Sequence, residues 1–217
     1  MSRKGNYLRE LPVLITVALV VSILIKSFLV QFFFIPSGSM ENTLQVADRV
    51  AVNRVPFLSQ TIHRGDVIVF RDPAGWLPSA PSAGENVVIS KVKELFVAVG
   101  VLPNPAKQYL VKRVIGIPGD HVVCCDKNKS LIVNGKSITE PYIYVGNNPS
   151  DMKFDITVAP GKYWVMGDHR GASADSRYHQ DDINQGQVPR NRITGRVVAI
   201  IWPVKHMKVI SPVNVFK

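Results

Sequence analysis

Apolar residues fall along this chain in two regimes. From residue 11 to residue 35 they are nearly continuous: eighteen of twenty-five positions are Leu, Ile, Val or Phe, and Lys26 is the only charge. After residue 36 they come in short runs, many of alternating pattern, broken by Gly, Pro and Asn. The first regime has no polar face, so it predicts a retained membrane anchor rather than a helix packed in a soluble core. As a helix it would run roughly 37 Å, against a hydrocarbon layer of roughly 30 Å. Each apolar residue at mid-membrane contributes about −0.3 to −0.6 kcal/mol to insertion, and together they outweigh the cost of about +2.5 to +3.5 for Lys26. Pro12 falls in the first turn, where its missing N–H has no helical partner in any case.

The second regime predicts strands over Asp48–Val55, Asp66–Phe70, Tyr109–Ile117, His121–Cys125, Ser130–Val133, Lys162–Met166 and Gly195–Trp202, with a short edge strand within Lys208–Val215. Pro118-Gly119-Asp120 and Asn134-Gly135 supply turns. Residues 72–108 are rich in Pro, Gly and Ala and predict an excursion from the sheet, in which Val92, Leu95, Phe96 and Val99 carry the spacing of a short helix. Trp76-Leu77 has two readings: an apolar tip resting on lipid, or a pair packed under its own loop.

Charge orients this plan. Arg3, Lys4 and Arg9 precede the apolar run against Glu10, while Glu41, Asp48 and Arg49 follow it. The asymmetry predicts a cytoplasmic N-terminus and an exported C-terminal part. A cleaved signal peptide is the competing reading. The run is long for one, and Pro36-Ser37-Gly38-Ser39 is a poor small-x-small exit site. The net charge is +10, of which +3 lies in residues 1–35. The remainder is scattered among the strands without a nucleic-acid-binding motif, so it predicts a solvated surface with some attraction to anionic head groups. Cys124 and Cys125 are adjacent; two thiols on opposite faces of a strand is a simpler expectation than a strained vicinal bond. With only His121 beside them, they make a weak metal site.

The candidate chemistry sits where the two regimes meet. Ser39 follows the apolar run within Ile35–Met40, but a serine hydroxyl needs a base. No Gly-x-Ser-x-Gly elbow surrounds it, and the five histidines show no triad spacing. A lysine kept neutral by burial is the alternative. Lys112 lies in a strand among Leu110, Val111, Val114 and Ile115, with Arg113 expected on the opposite face, in water.

Three motifs then occur in order: Ile35-Pro-Ser-Gly-Ser-Met40, Tyr109-Leu-Val-Lys-Arg-Val-Ile-Gly-Ile-Pro-Gly-Asp120, and Val165-Met-Gly-Asp-His-Arg170 leading into Ser173-Ala-Asp-Ser-Arg177. Together they resemble the bacterial type I signal peptidases, the leader peptidase family, over residues 30–203. The short length and single anchor look like Gram-positive or actinobacterial members. The resemblance implies a membrane-bound serine endopeptidase that removes signal peptides from exported preproteins, cutting after small residues of Ala-x-Ala type. It implies Ser39 as nucleophile and Lys112 as general base, with the Ser37 hydroxyl and the Ser39 N–H as oxyanion hole. Ser173 would orient the lysine amine, Asp175 and Arg177 would shape the site from behind, and Asp168 and Arg170 would brace the loop carrying Ser173. His169 stands where many relatives have Asn. Gly171-Ala172 replaces Asp-Asn, so the usual acidic partner of Arg170 is missing.

The implied fold is mostly β. A transmembrane helix precedes an antiparallel β catalytic core of the signal peptidase and self-cleaving repressor type, with a smaller inserted β cap. The expected division is a cytoplasmic tail at 1–10, an anchor at 11–35, a core of 36–71, 108–122 and 163–205, insertions or cap at 72–107 and 123–162, and a C-terminal edge segment at 206–217. No cofactor or metal is expected. The partners expected are preproteins, the lipid bilayer and the secretion machinery, but no nucleic acid. Two other functions fit the anchor: a serine peptidase with a regulatory or pilin-like target, and a catalytically silent binding module.

Overall fold

The structure, a computed structural model, describes residues 10–17, 29–54, 62–78 and 108–213. Residues 10–17 are helical, with Leu11, Val13, Leu14, Ile15 and Val17 all exposed. Among the described residues no helix is long and apolar enough to cross a membrane. Residues 18–28 of the expected anchor and the helix expected around Val92–Val99 lie outside the described residues.

The expected anchor ends too late. Val30–Phe34 is a strand, β1, paired antiparallel with β2 (Arg49–Asn53). Gln31, Phe33 and Ile35 are buried while Phe32 and Phe34 are exposed, a period-two pattern. It was hidden because both sets are almost wholly apolar, and periodicity cannot separate strand from helix in such a run.

Around β1 and β2 grows a sheet of eight strands in the order β1-β2-β11-β3-β4-β9-β10, with β12 against β11. The further members are β3 (Val67–Arg71), β4 (Tyr109–Gly116), β9 (Lys162–Met166), β10 (Val188–Pro189), β11 (Ile193–Trp202) and β12 (Lys208–Val209). All the pairings are antiparallel. β3 is buried on both faces: Val67 and Val69 join a cluster with Phe33, Met40, Leu44 and Val52, and Ile68 and Phe70 join another with Leu110, Val114 and Val165. Such two-sided burial needs a continuous apolar run, which Val67–Phe70 supplies.

A second, four-stranded sheet, β7-β6-β5-β8, comprises β5 (His121–Cys124), β6 (Leu131–Val133), β7 (Lys136–Ser137) and β8 (Phe154–Thr157). It packs its apolar face with Trp164 and Met166 of β9. β8 was not read from the sequence, because Phe154–Thr157 offers only four residues of mixed polarity.

Two local expectations resolve. Trp76 is buried: its indole stacks on His179 at 4.5 Å, meets Phe70 edge-on and donates to Asp182 Oδ2 at 2.7 Å. The lipid-tip reading therefore fails for Trp76. Asp72 closes this turn by accepting the backbone N–H groups of Ala74, Gly75, Trp76 and Leu77. The cysteines also depart from expectation, since Cys124 and Cys125 are joined to each other in a disulfide.

Candidate active site

Ser39 lies in a single 3-10 turn, Gly38–Met40, directly after β1, and is 8% exposed. Buried Met40 and Leu44 anchor this turn in the apolar cluster beneath it. Lys112 comes from the middle of β4, opposite Ile68 of β3, and is 4% exposed. Its Nζ lies 2.6 Å from Ser39 Oγ, across a sequence separation of 73 residues. Burial lowers the Lys112 pKa to about 8; Asp175 and then Asp168 oppose the shift, and Arg177 adds to it. In water this amine would be almost wholly protonated at neutral pH; lowering its pKa to about 8 raises the neutral fraction to roughly a tenth at pH 7.

The other expected residues surround this pair. Ser37 is exposed, with its hydroxyl oxygen 3.5 Å from Ser39 Oγ. Ser173 is 4% exposed, and its hydroxyl has no hydrogen-bond partner among the described residues. Lys112 and Ser173 therefore make no hydrogen bond in this state. Gly167 is what lets the Ser173 loop come so close. A Cβ at position 167 would collide with both the Ser173 hydroxyl and the Ser39 carbonyl oxygen.

Asp175 and Arg177 form a buried pair. The Arg177 guanidinium donates to both carboxylate oxygens at 2.8 and 2.9 Å, and also to the Arg170 carbonyl, while Asp175 accepts the Gly167 N–H at 2.9 Å. Through that last bond Asp175 holds the strand-to-loop exit of β9. Arg170 has its acidic partner after all. Glu140, from the segment between β7 and β8, meets Arg170 Nη2 at 2.6 Å, and both side chains are almost fully buried. The sequence offered no signal for this pairing, because 30 residues separate the partners and no local pattern links them.

Arg113 corrects an expectation. It is 1% exposed rather than solvated. Its guanidinium grips Asp168 through two bonds at 2.8 and 2.6 Å, donates to the Gly65 carbonyl and to Thr43 Oγ1, and lies 4.0 Å from the Tyr142 ring centroid. Thr43 in turn donates to Asp168. Asp168 thus ties β4 to the loop after β9 and to the segment following Ser39. Tyr142 donates to Glu140 Oε1 at 2.8 Å; burial, then Glu140, pushes its phenol well above its ordinary pKa, so it stays a donor.

His169 does not face the Lys112 amine as a competing base. Its ring Nδ1 is 2.8 Å from Glu41 Oε2, and Tyr144 stacks on it at 4.1 Å. Among the described residues no cluster of His, Cys, Asp and Glu could hold a metal ion. The arrangement is a buried serine hydroxyl beside a lysine amine of depressed pKa, with two candidate oxyanion donors, next to a frame of buried ion pairs. It is equipped for acyl transfer.

Comparison with known proteins agrees with this chemistry. Residues 8–202 match the family model described as signal peptidase, peptidase S26. Signal peptidase I of Mycobacterium tuberculosis is 36% identical over 235 aligned positions, covering 97% of this chain and 78% of the relative. A probable signal peptidase I of Mycobacterium leprae is 33% identical, covering 98% and 82%. Signal peptidase I of Bacillus amyloliquefaciens is 29% identical, covering 96% and 92%.

Proposed function

This chain belongs to the signal peptidase family, peptidase S26, and is a serine endopeptidase that cleaves signal peptides; we propose that Ser39 is its nucleophile and Lys112 its general base. The observation that carries this reading is the 2.6 Å separation of Lys112 Nζ and Ser39 Oγ, both buried. Lys112, neutral, takes the Ser39 proton as Oγ attacks the scissile carbonyl carbon. The resulting oxyanion is stabilised by the Ser39 N–H and the Ser37 hydroxyl. As the tetrahedral intermediate collapses, the Lys112 ammonium returns the proton to the leaving amine, and an acyl ester remains on Ser39. A water deprotonated by Lys112 then releases the signal peptide and regenerates the hydroxyl. The unpartnered Ser173 hydroxyl fits the lysine-orienting role: once protonated, the amine has more N–H donors than Ser39 alone can accept.

Asp168, Arg170, Asp175 and Arg177 hold the frame rather than touch the substrate. The function assigned by the family sets aside the silent binding module and the regulatory or pilin-like target. Cleavage after small residues, and contact with the secretion machinery, stand as part of this proposal.

The enzyme acts at the membrane with a single N-terminal span, its N-terminus cytoplasmic and its β domain outside. The apolar run before β1, the exposed apolar side chains of residues 10–17 and the basic residues Arg3, Lys4 and Arg9 support this. So does the outer face of the sheet, where exposed Phe32, Phe34, Trp202 and Val209 lie near one another through the registers of β1, β2, β11 and β12. This face, apolar except for exposed Arg49 between Phe34 and Trp202, adjoins the expected anchor and suits contact with lipid and its anionic head groups. The mycobacterial relatives support an actinobacterial-like placement within a family found across bacteria.

The test is processing of a preprotein by the purified full chain in detergent, with wild type, Ser39→Ala, Lys112→Ala and Ser37→Ala compared. The first two substitutions abolish cleavage. The third slows it by an amount equivalent to about 2.7–4 kcal/mol, the worth of one oxyanion donor. Circular dichroism must show each variant folded, and cleavage by folded Ser39→Ala would overturn the assignment.

A further inference from the structure

The peptide group joining Gly38 to Ser39 carries the backbone donor of the oxyanion hole, and something must hold it in orientation. Its carbonyl end accepts the Glu41 N–H at 3.0 Å. Because Gly38 C=O and Ser39 N–H are two ends of one planar unit, fixing the first aims the second. The Glu41 side chain folds back over the same unit. A Cβ at Gly38 would lie 2.8 Å from Glu41 Oε1, so a side chain there would push the carboxylate out of this position. That carboxylate is gripped by His169 Nδ1 at 2.8 Å, and the His169 backbone N–H donates to the Ser39 carbonyl at 3.2 Å. Tyr144, from the segment after β7, stacks on the imidazole with planes 14° apart.

We propose that His169 and Glu41 form a positioning clamp on the nucleophile turn, which aims the Ser39 N–H at the developing oxyanion. The clamp rests on the assignment of Ser39 as nucleophile and adds residues to which that chemistry gives no role. His169 holds the turn twice, by its amide on the Ser39 carbonyl and by its ring on Glu41. Glu41 transmits the ring contact to the Gly38–Ser39 peptide. Tyr144 keeps the imidazole from rotating off the carboxylate. Misaiming a donor by a fraction of an ångström weakens it chiefly in the transition state, so the clamp acts on kcat and leaves substrate binding alone.

The experiment measures kcat, KM and melting temperature for His169→Ala, Glu41→Ala, His169→Asn and the double variant His169→Ala/Ser37→Ala, all in the full chain in detergent. Surface His121→Ala, which removes another histidine–carboxylate contact far from the turn, is the control. The expected result is a roughly ten- to hundredfold fall in kcat for each alanine variant, with KM and melting temperature unchanged. His169→Asn, whose amide can still donate to Glu41, recovers most of the rate. Because both changes act on one oxyanion, the double variant is slowed by less than the product of the two single effects. A rise in KM at unchanged kcat, a rate loss that tracks a fall in melting temperature, or fully multiplicative losses would overturn the clamp. Residual cleavage by Ser39→Ala in the same assay would instead overturn the nucleophile, so the two failures are told apart.

Discussion

Lys112 and Arg113 are neighbours on β4, both cations and both nearly out of contact with water, yet they are provided for in opposite ways. Arg113 has a bidentate carboxylate, a carbonyl, a hydroxyl and an aromatic face around its guanidinium. Among the described residues Lys112 has one hydrogen-bond partner, the Ser39 hydroxyl, and its acidic neighbours only partly offset its burial. A buried guanidinium cannot shed its proton, so it must be paired or the fold suffers. A buried amine can shed its proton, and on the proposed assignment leaving it underpaired is what fits it to act as a base. The frame is therefore where charges are satisfied, and the proposed reactive centre is where satisfaction is withheld.

Breaking the satisfied side has the largest expected effect on the fold. Arg113→Met leaves Asp168 buried without its cation and costs about 3–5 kcal/mol of stability, read as a shift of the urea midpoint. Breaking the unsatisfied side has the reverse sign. A lysine whose folded pKa is depressed from 10.5 to about 8 destabilises the fold fully below pH 8, and this penalty fades as pH rises to 10.5. Lys112→Met should therefore abolish cleavage while raising stability by on the order of 3 kcal/mol below pH 8, with the gain vanishing above about pH 10.5. The pH–rate profile sharpens the contrast further. Only the neutral amine accepts the serine proton, so kcat/KM falls about tenfold per pH unit below about 8. A rate flat into the acid range would remove Lys112 from the chemistry. Least disruptive is Glu140→Gln, which keeps the shape beside Arg170 but removes the charge, for an expected loss of about 1–3 kcal/mol by thermal unfolding.

The same contrast explains what could be read in advance. The burial of Lys112 and its approach to Ser39 were legible because each residue belongs to a contiguous motif, and a lysine among apolar strand residues already points to burial. The strands β2, β3, β4 and β9 were legible from local alternation or apolar runs. Arg113 departs from expectation because adjacency places it on the other face of the strand, which the local pattern alone marks as wet. It is covered by Tyr142 and the Asp168 loop, which come from remote segments. Glu140 and Thr43 were missed for the same reason: paired partners of buried charges are set by tertiary approach and leave no spacing in the chain. β1 was masked by an excess of apolar residues, which erased the period that distinguishes strand from helix.

That strand leaves little slack between the apolar run and Ser39. From Val30 to Ser39 the chain can extend no more than about 30 Å, and β1 commits half of that length to the sheet. On the proposed topology this stretch works as a ruler. It sets the height above the lipid at which a peptide bond can be cut, so a bond presented much farther out escapes whatever its side chains.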